Sequence, residues 1–283
     1  MSLNIEMVPV PAGSFQRDEE KENISVITKA YSLGKYPITR EQFLDIMGAD
    51  PSDTAKSSGS MNEPVQMINW YHAIAFCNKL SIKEGLDPAY SVKVNDQEIV
   101  WENLVFGDIP SGDDYNPMIG DVGDANWNAA TCNWDANGYR LPTEMEWMWA
   151  AMGAPSDGQG GGTNTTGYLK AFAGSMGTNN IDDYAWYNEN GDGKTHPVGG
   201  KLPNELGLHD MSGNVWEWCW DWNADYQTGT LTDYRGAGSG SYRVNRGGGW
   251  SNYASFCTVA LRRYHCAYSQ YSNYGFRILR PVL

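Results

Sequence analysis

The ten residues GNVWEWCWDW, Gly213 to Trp222, set the reading of the whole chain. Tryptophans at 216, 218, 220 and 222 alternate with Glu217, Cys219 and Asp221, and a two-residue period belongs to a β-strand, whose side chains point to opposite faces in turn. Four indoles on one face anchor an interior. Glu217, on the other face, then needs solvent, a cation or a hydrogen-bond donor, because an isolated carboxylate is costly to bury.

Downstream, RVNRGGGW (243–250) supplies three glycines where backbone must turn or approach closely, and YGFR (274–277) starts a closing strand, GFRILRPVL. Upstream, RLPTEMEWMWAAMG (140–153) reads as a helix with a capping box of Thr143 and Glu146, Pro142 before it and Gly153 after it. Residues 5–38 alternate apolar runs and turns, as short strands do. Thr39 and Gln42 cap a helix over REQFLDIM, and a second helix from Trp70 to about Lys83 carries the stripe Trp70, Ala73, Ile74, Cys77 and Leu80, on which Cys77 is a packing residue. Residues 92–138 are Asp/Asn-rich and irregular, an expected surface insertion, and 154–167 reads as a flexible Gly/Ser/Thr loop. With no tandem repeat and no clean linker, 1–283 is expected to be one α+β domain.

A formal net charge of −14 argues against nucleic acid as a partner, since phosphate binding relies on clustered Lys and Arg. No apolar run approaches the roughly 18 residues of a membrane span, and no signal-like stretch follows Met1. The five cysteines are odd in number and lack CxxC spacing, which excludes a zinc ribbon and a fully paired disulfide framework within one chain. The four histidines are scattered, without HExxH. NENGDG (188–193) spaces its oxygens like half of a calcium loop, yet position twelve is Gly199 where a bidentate Glu is needed. A polar turn is the better reading.

The least ordinary stretch is WSNYASFCTVALRRYHCAYSQYSNY, Trp250 to Tyr274. Its 24 residues after Trp250 hold five Tyr and four Ser but no Asp, Glu, Lys, Gly, Pro, Met or Trp. Tyr and Ser are the residues of antibody-like surfaces: Tyr offers rigid amphipathic area and Ser adaptable hydrogen bonding. The alternative is a Tyr-rich strand pair packed into the core.

MVPVPAGSF, GKYPIT, EPVQMINWYHAIAFCNKL, GYRLPTEMEWMWAA, THPVGGKLPNELGLHDMSGNVWEWCWDW, RVNRGGGW and YGFR occur here in the order of the formylglycine-generating enzyme (sulfatase-modifying factor) family. The chain resembles that family over nearly its entire length. The resemblance implies the family's variant of the C-type-lectin fold, α+β with much irregular structure. In the family's enzymes a copper ion held by two cysteines oxidises a substrate cysteine; Cys257 stands at the second of those positions, but Asn252 stands at the first. An amide cannot replace a thiolate as a soft ligand, so no enzyme and no required cofactor are expected. The family's calcium ligands map onto Asp210, Gly213, Val215 and Glu217, which implies at most one structural calcium.

The chain also resembles the variable proteins of diversity-generating retroelements, which use this lectin-like scaffold and whose segment between RGG-x-W and GFR is rewritten by adenine-specific mutagenesis. Asn codons can then become codons for Tyr, Ser, Phe, His, Cys, Leu or Arg, but not for Lys, Glu, Gln, Met or Trp; Gln270 lies outside that set, and the absence of Asp and Gly is not explained by it. The resemblance implies a variable, ligand-binding region at 251–274 built from Asn252, Tyr253, Ser255, Phe256, Leu261, Arg263, Tyr264, His265, Cys266, Tyr268, Ser269, Tyr271, Asn273 and Tyr274. Most of these are expected on one exposed face, with Cys257, Val259 and Ala260 turned inward. Replacing Tyr264, Tyr268 and Tyr271 together by Ser should then leave stability nearly unchanged. The expected function is non-enzymatic recognition of a protein or cell-surface ligand, at the cell surface or outside the cell, with any leader or anchor lying outside this sequence. The alternatives are an oxidase of protein cysteine using Cys257 with Cys266, and a lectin-like module without diversification.

Overall fold

The computed structural model describes residues 5–112, 123–157 and 162–282. Four short strands come first, β1 (Met7–Val10), β2 (Gly13–Gln16), β3 (Ile24–Ile27) and β4 (Tyr31–Gly34). Helices α1 (Arg40–Met47) and α2 (Trp70–Lys83) follow with the bounds the sequence predicts. At α1 the Thr39 hydroxyl accepts from Gln42 N while the Gln42 side chain accepts from Thr39 N. Asn69 and His72 repeat the exchange at α2, with an imidazole nitrogen in place of the usual Glu or Gln. Such caps satisfy donors that a first helical turn leaves free. The predicted stripe of α2 is buried, and so are Tyr71, His72, Ala75 and Phe76, so the helix is enclosed on nearly every side.

β5 (Tyr90–Ser91) leads into the region expected as a surface insertion, which carries β6 (Lys93–Val94), β7 (Gln97–Glu98), α3 (Ala125–Asn128) and β8 (Thr131–Cys132). Its Trp101, Ile109 and Trp127 are buried in the same core as α2. The insertion therefore extends that core as well as covering it. Its residues 113–122, and 158–161 of the loop expected at 154–167, lie outside the described residues. Helix α4 (Glu144–Ala151) starts on the predicted Thr143–Glu146 box, and Gly153 takes φ +86°, the left-handed conformation that suits glycine after a helix.

Six strands complete the chain: β9 (Trp216–Trp222), β10 (Leu231–Thr232), β11 (Arg243–Arg246), β12 (Arg262–His265), β13 (Tyr274–Gly275) and β14 (Leu279–Pro281). β14 pairs antiparallel with β4, which pairs with β1, so strands from both ends of the chain share one sheet. A second sheet has the order β10-β3-β2, and the central one β12-β11-β9-β13. The tryptophan strand β9 lies inside this central sheet between two cores. Trp216 and Trp218 join α2 on one face, and Cys219 joins α4 on the other. Among the described residues no helix is long and apolar enough to cross a membrane.

Glu217 meets its requirement through a cation. Its carboxylate takes Arg277 Nε at 2.6 Å and Nη2 at 2.6 Å, and Trp147 Nε1 at 2.7 Å, with both charged side chains fully buried. Arg277 also donates to the carbonyls of Gly34 and His209. The Glu of GNVWEW and the Arg of YGFR thus join the central sheet to α4 and β4.

Candidate functional site

The two arginines of RVNRGGGW prepare the ground beneath residues 251–274. Arg243 is sandwiched between the rings of Trp70 and Trp222, 3.7 Å and 3.4 Å from its guanidinium carbon. Arg246, on the other face of β11, ion-pairs with Glu144 at 2.7 Å and directs Nη1 at the carbonyls of Val259, Ala260 and Leu261, at 3.2, 2.8 and 3.0 Å. Both are buried charges fixed by rings, carboxylate or carbonyls.

The same device recurs along the segment. Asn188 N donates to the carbonyl of Asn252, Ser212 Oγ to that of Cys257, and Trp70 N to that of Ala267. Met67 N donates to the Tyr271 carbonyl, Trp250 Nε1 to that of Ser272 and Trp216 N to that of Asn273. Nearly all these donors lie outside 251–274, and the acceptors are main-chain atoms that every amino acid carries. The segment's path is therefore set chiefly by the scaffold and only at a few points by its own side chains. Three side chains inside it also serve as anchors, among them Asn252, whose Oδ1 holds the turn after RGGGW. Arg262 makes a bidentate pair with Glu144, 2.8 and 2.7 Å, stacked over Tyr226. Gln270 donates to the Met67 carbonyl at 2.9 Å.

The predicted side chains divide into three groups. Tyr253, Ser255, Arg263 and Tyr264 are exposed, the two tyrosines by 65% and 49%. Asn252, Phe256, Leu261, His265, Tyr271 and Asn273 are half-buried. Cys266, Tyr268, Ser269 and Tyr274 are buried, contrary to the expected exposed face. The Tyr268 ring lies between Gly112 and Gly123, where a Cβ on either glycine would come within 2.7 Å of it. Tyr274 leads into the sheet and meets Trp218 edge-on. Nor do the rest share one face, because strand alternation divides β12. Tyr264 packs on Tyr242, their centroids 5.3 Å apart; Arg263 lies over Phe256, and His265 meets Tyr271 and Tyr274. Burial, reinforced by Arg263, lowers the His265 pKa to about 4, so the imidazole is neutral near pH 7. Tyr242 and Glu144 are members of this surface and its support that the sequence did not single out; both come from the pairing of β11 with β12 and with α4, which no local pattern encodes. Of the expected inward residues, Cys257 and Val259 are buried and Ala260 is half-buried.

The donor sets that the family resemblance implies do not fit their metals. Asn252 Oδ1 accepts from Trp216 Nε1 at 2.8 Å and Gly249 N at 3.1 Å, which fixes the turn after RGGGW. Cys257 is fully buried beside Ala185 and Tyr187, and burial pushes its thiol up to about 12, against the thiolate that copper requires. For calcium, both Glu217 oxygens face a guanidinium, and Asp210 already accepts from Gly199 N and Asn214 Nδ2. A second cation beside Arg277 would be repelled. Among the described residues no group of three or more His, Cys, Asp or Glu side chains is placed to hold a metal ion.

This architecture has relatives. The chain is similar to Treponema denticola variable protein 1, with 36% identity and a TM-score of 0.84 over 99% of this chain and 96% of that one. It is 30% identical over 297 residues to Chaperone protein LppX of Paenibacillus barcinonensis, covering 99% of this chain and 90% of that protein. Similarity to the formylglycine-generating enzyme of Thermomonospora curvata, 35% over 163 residues, covers 54% of this chain and 52% of the enzyme. The family described as Sulfatase-modifying factor enzyme 1-like domain matches residues 2–282, and with a fold of the same kind the chain belongs to that family.

Proposed function

We propose that the protein is a non-enzymatic binding protein whose segment 251–274 is diversified and presents its outward side chains to a protein or cell-surface ligand, at the cell surface or outside the cell. One observation carries the reading. The main chain of the segment is held by donors from elsewhere in the fold while Tyr253, Ser255, Arg263 and Tyr264 face solvent, so these side chains can change without loosening the backbone. Similarity to a protein named a variable protein and to one named a chaperone, each over almost the whole chain, supports a binding role. The oxidase alternative is disfavoured by Asn252 and by the buried, protonated thiol of Cys257.

Sequencing the coding locus across isolates tests the proposal. Substitutions should gather at 253, 255, 256, 263, 264 and 271 and spare Arg262, Gln270 and the buried positions. Variation spread evenly along the chain, or absent from the segment, overturns it. Incubating the purified protein with copper and a cysteine-bearing peptide tests the alternative, and no aldehyde product is expected.

A further inference from the structure

Strand β12 is the last of the central sheet. It pairs with β11 on one side, and among the described residues no strand lies on its other side. In an antiparallel pair, alternate residues turn their N–H and C=O away from the partner, so two residues of β12 present outward donors and acceptors that nothing among the described residues claims. The scaffold holds β12 from the β11 side alone, whereas Val259, Ala260 and Leu261 before the strand, and Ala267 and Tyr268 after it, have their carbonyls taken by side chains or main chain from elsewhere in the fold. Folded proteins commonly guard such an edge by shortness, charged side chains, Pro or a bulge; β12 is short and carries two arginines, of which Arg262 is drawn back to Glu144. The sequence RRYH has neither Lys nor Pro, and its register with β11 runs without a shift.

The strand is also held ready. Arg262 ties it through Glu144 to α4, while Arg263 points outward with no carboxylate within ion-pair distance among the described residues. On a chain of net charge −14 an exposed arginine without such a partner is complementary to an acid from elsewhere. One side of the strand offers the Tyr242–Tyr264 pair, and the other Phe256, His265 and Tyr271.

We infer that the ligand of this surface is an extended polypeptide segment that adds to β12 as a further strand, with alternate side chains on the two aromatic flanks and an acidic residue beside Arg263. The inference rests on the binding role proposed above and specifies its partner. Strand addition draws affinity from main-chain hydrogen bonds and selectivity from the alternate side chains. A surface that changes its side chains would thus keep a constant source of affinity.

The probe is a random dodecapeptide library displayed on phage and selected against the full chain, the recovered peptide then being synthesised with each backbone nitrogen methylated in turn. Methylation should weaken binding about tenfold at every second residue and little between them, as loss of single hydrogen bonds predicts. The amides of β12 should gain hydrogen-exchange protection in the complex, and Arg263→Glu, with an unchanged melting temperature, should weaken an acidic peptide about tenfold. A peptide that depends on Tyr264 and Arg263 but shows no two-residue period and no protection of β12 overturns strand addition and leaves the binding role standing. Failure to recover any peptide sensitive to Tyr264→Ser or Arg263→Glu overturns the polypeptide ligand. Variation of the locus among isolates is read independently of either result.

Discussion

Glu217 and Arg277 show what a charge inside this fold requires: each oxygen and each facing nitrogen is matched, and neither group reaches water. Glu217→Ala should cost about 3–5 kcal/mol in urea denaturation, because it leaves a guanidinium buried without its counter-charge. A loss below about 1 kcal/mol would show that the pair is not enclosed in solution. Within the segment, single tyrosines separate by position. Tyr253→Ser and Tyr264→Ser should each change stability by no more than about 0.5 kcal/mol, whereas Tyr274→Ala should cost about 3 kcal/mol or more. The composition of 251–274 marked the surface but could not sort its tyrosines, because what buries Tyr268 is a pair of glycines more than a hundred positions earlier. The triple replacement of Tyr264, Tyr268 and Tyr271 would therefore unsettle the core through its middle member.

Helix α4 depends on chemistry at its first turn. Thr143→Ala should lower stability by about 1 kcal/mol in chemical denaturation. Asp221 lies beside that turn, accepting from Glu144 N at 2.7 Å, and burial, then the Glu144 charge, raises its pKa from 3.8 to about 8. The folded state then keeps a proton that the unfolded chain gives up, so this group's contribution falls as pH rises from about 4 to 8. Asp221→Asn should raise the melting temperature more at pH 8 than at pH 5; an equal rise at both would rule out that titration. His265 has the opposite sign, its contribution lost as pH falls from 6.5 towards 4. Helices α1, α2 and α4 were legible in the sequence because their boundary signals, Thr39, Thr143 and the apolar stripe from Trp70, are local. The pairing of β11 with β12 and the burial of Trp101 and Trp127 were not, since both are settled by residues distant in the chain.

Taken as a whole, the molecule joins its two ends in one sheet and holds its five cysteines outside disulfides, four of them buried. A thiol-alkylating reagent should label the half-buried Cys132 alone, and slowly, in the native protein, because burial pushes its thiol up to about 12, and all five after denaturation; rapid native labelling of Cys257 would revive the oxidase alternative. The fold class followed from motifs spread along the chain, while the division of residues 251–274 into exposed, supporting and buried side chains needed the assembled sheet. The carbonyl hold on residues 252–273 reaches beyond any one specificity. A carbonyl is present whatever codon is read, so a change of side chains in the segment is uncoupled from the search for a chain that folds. A segment lifted from one copy of such a protein and set between Gly249 and Gly275 of another should seat along the same path, a cartridge that carries with it whatever binding its outward side chains confer.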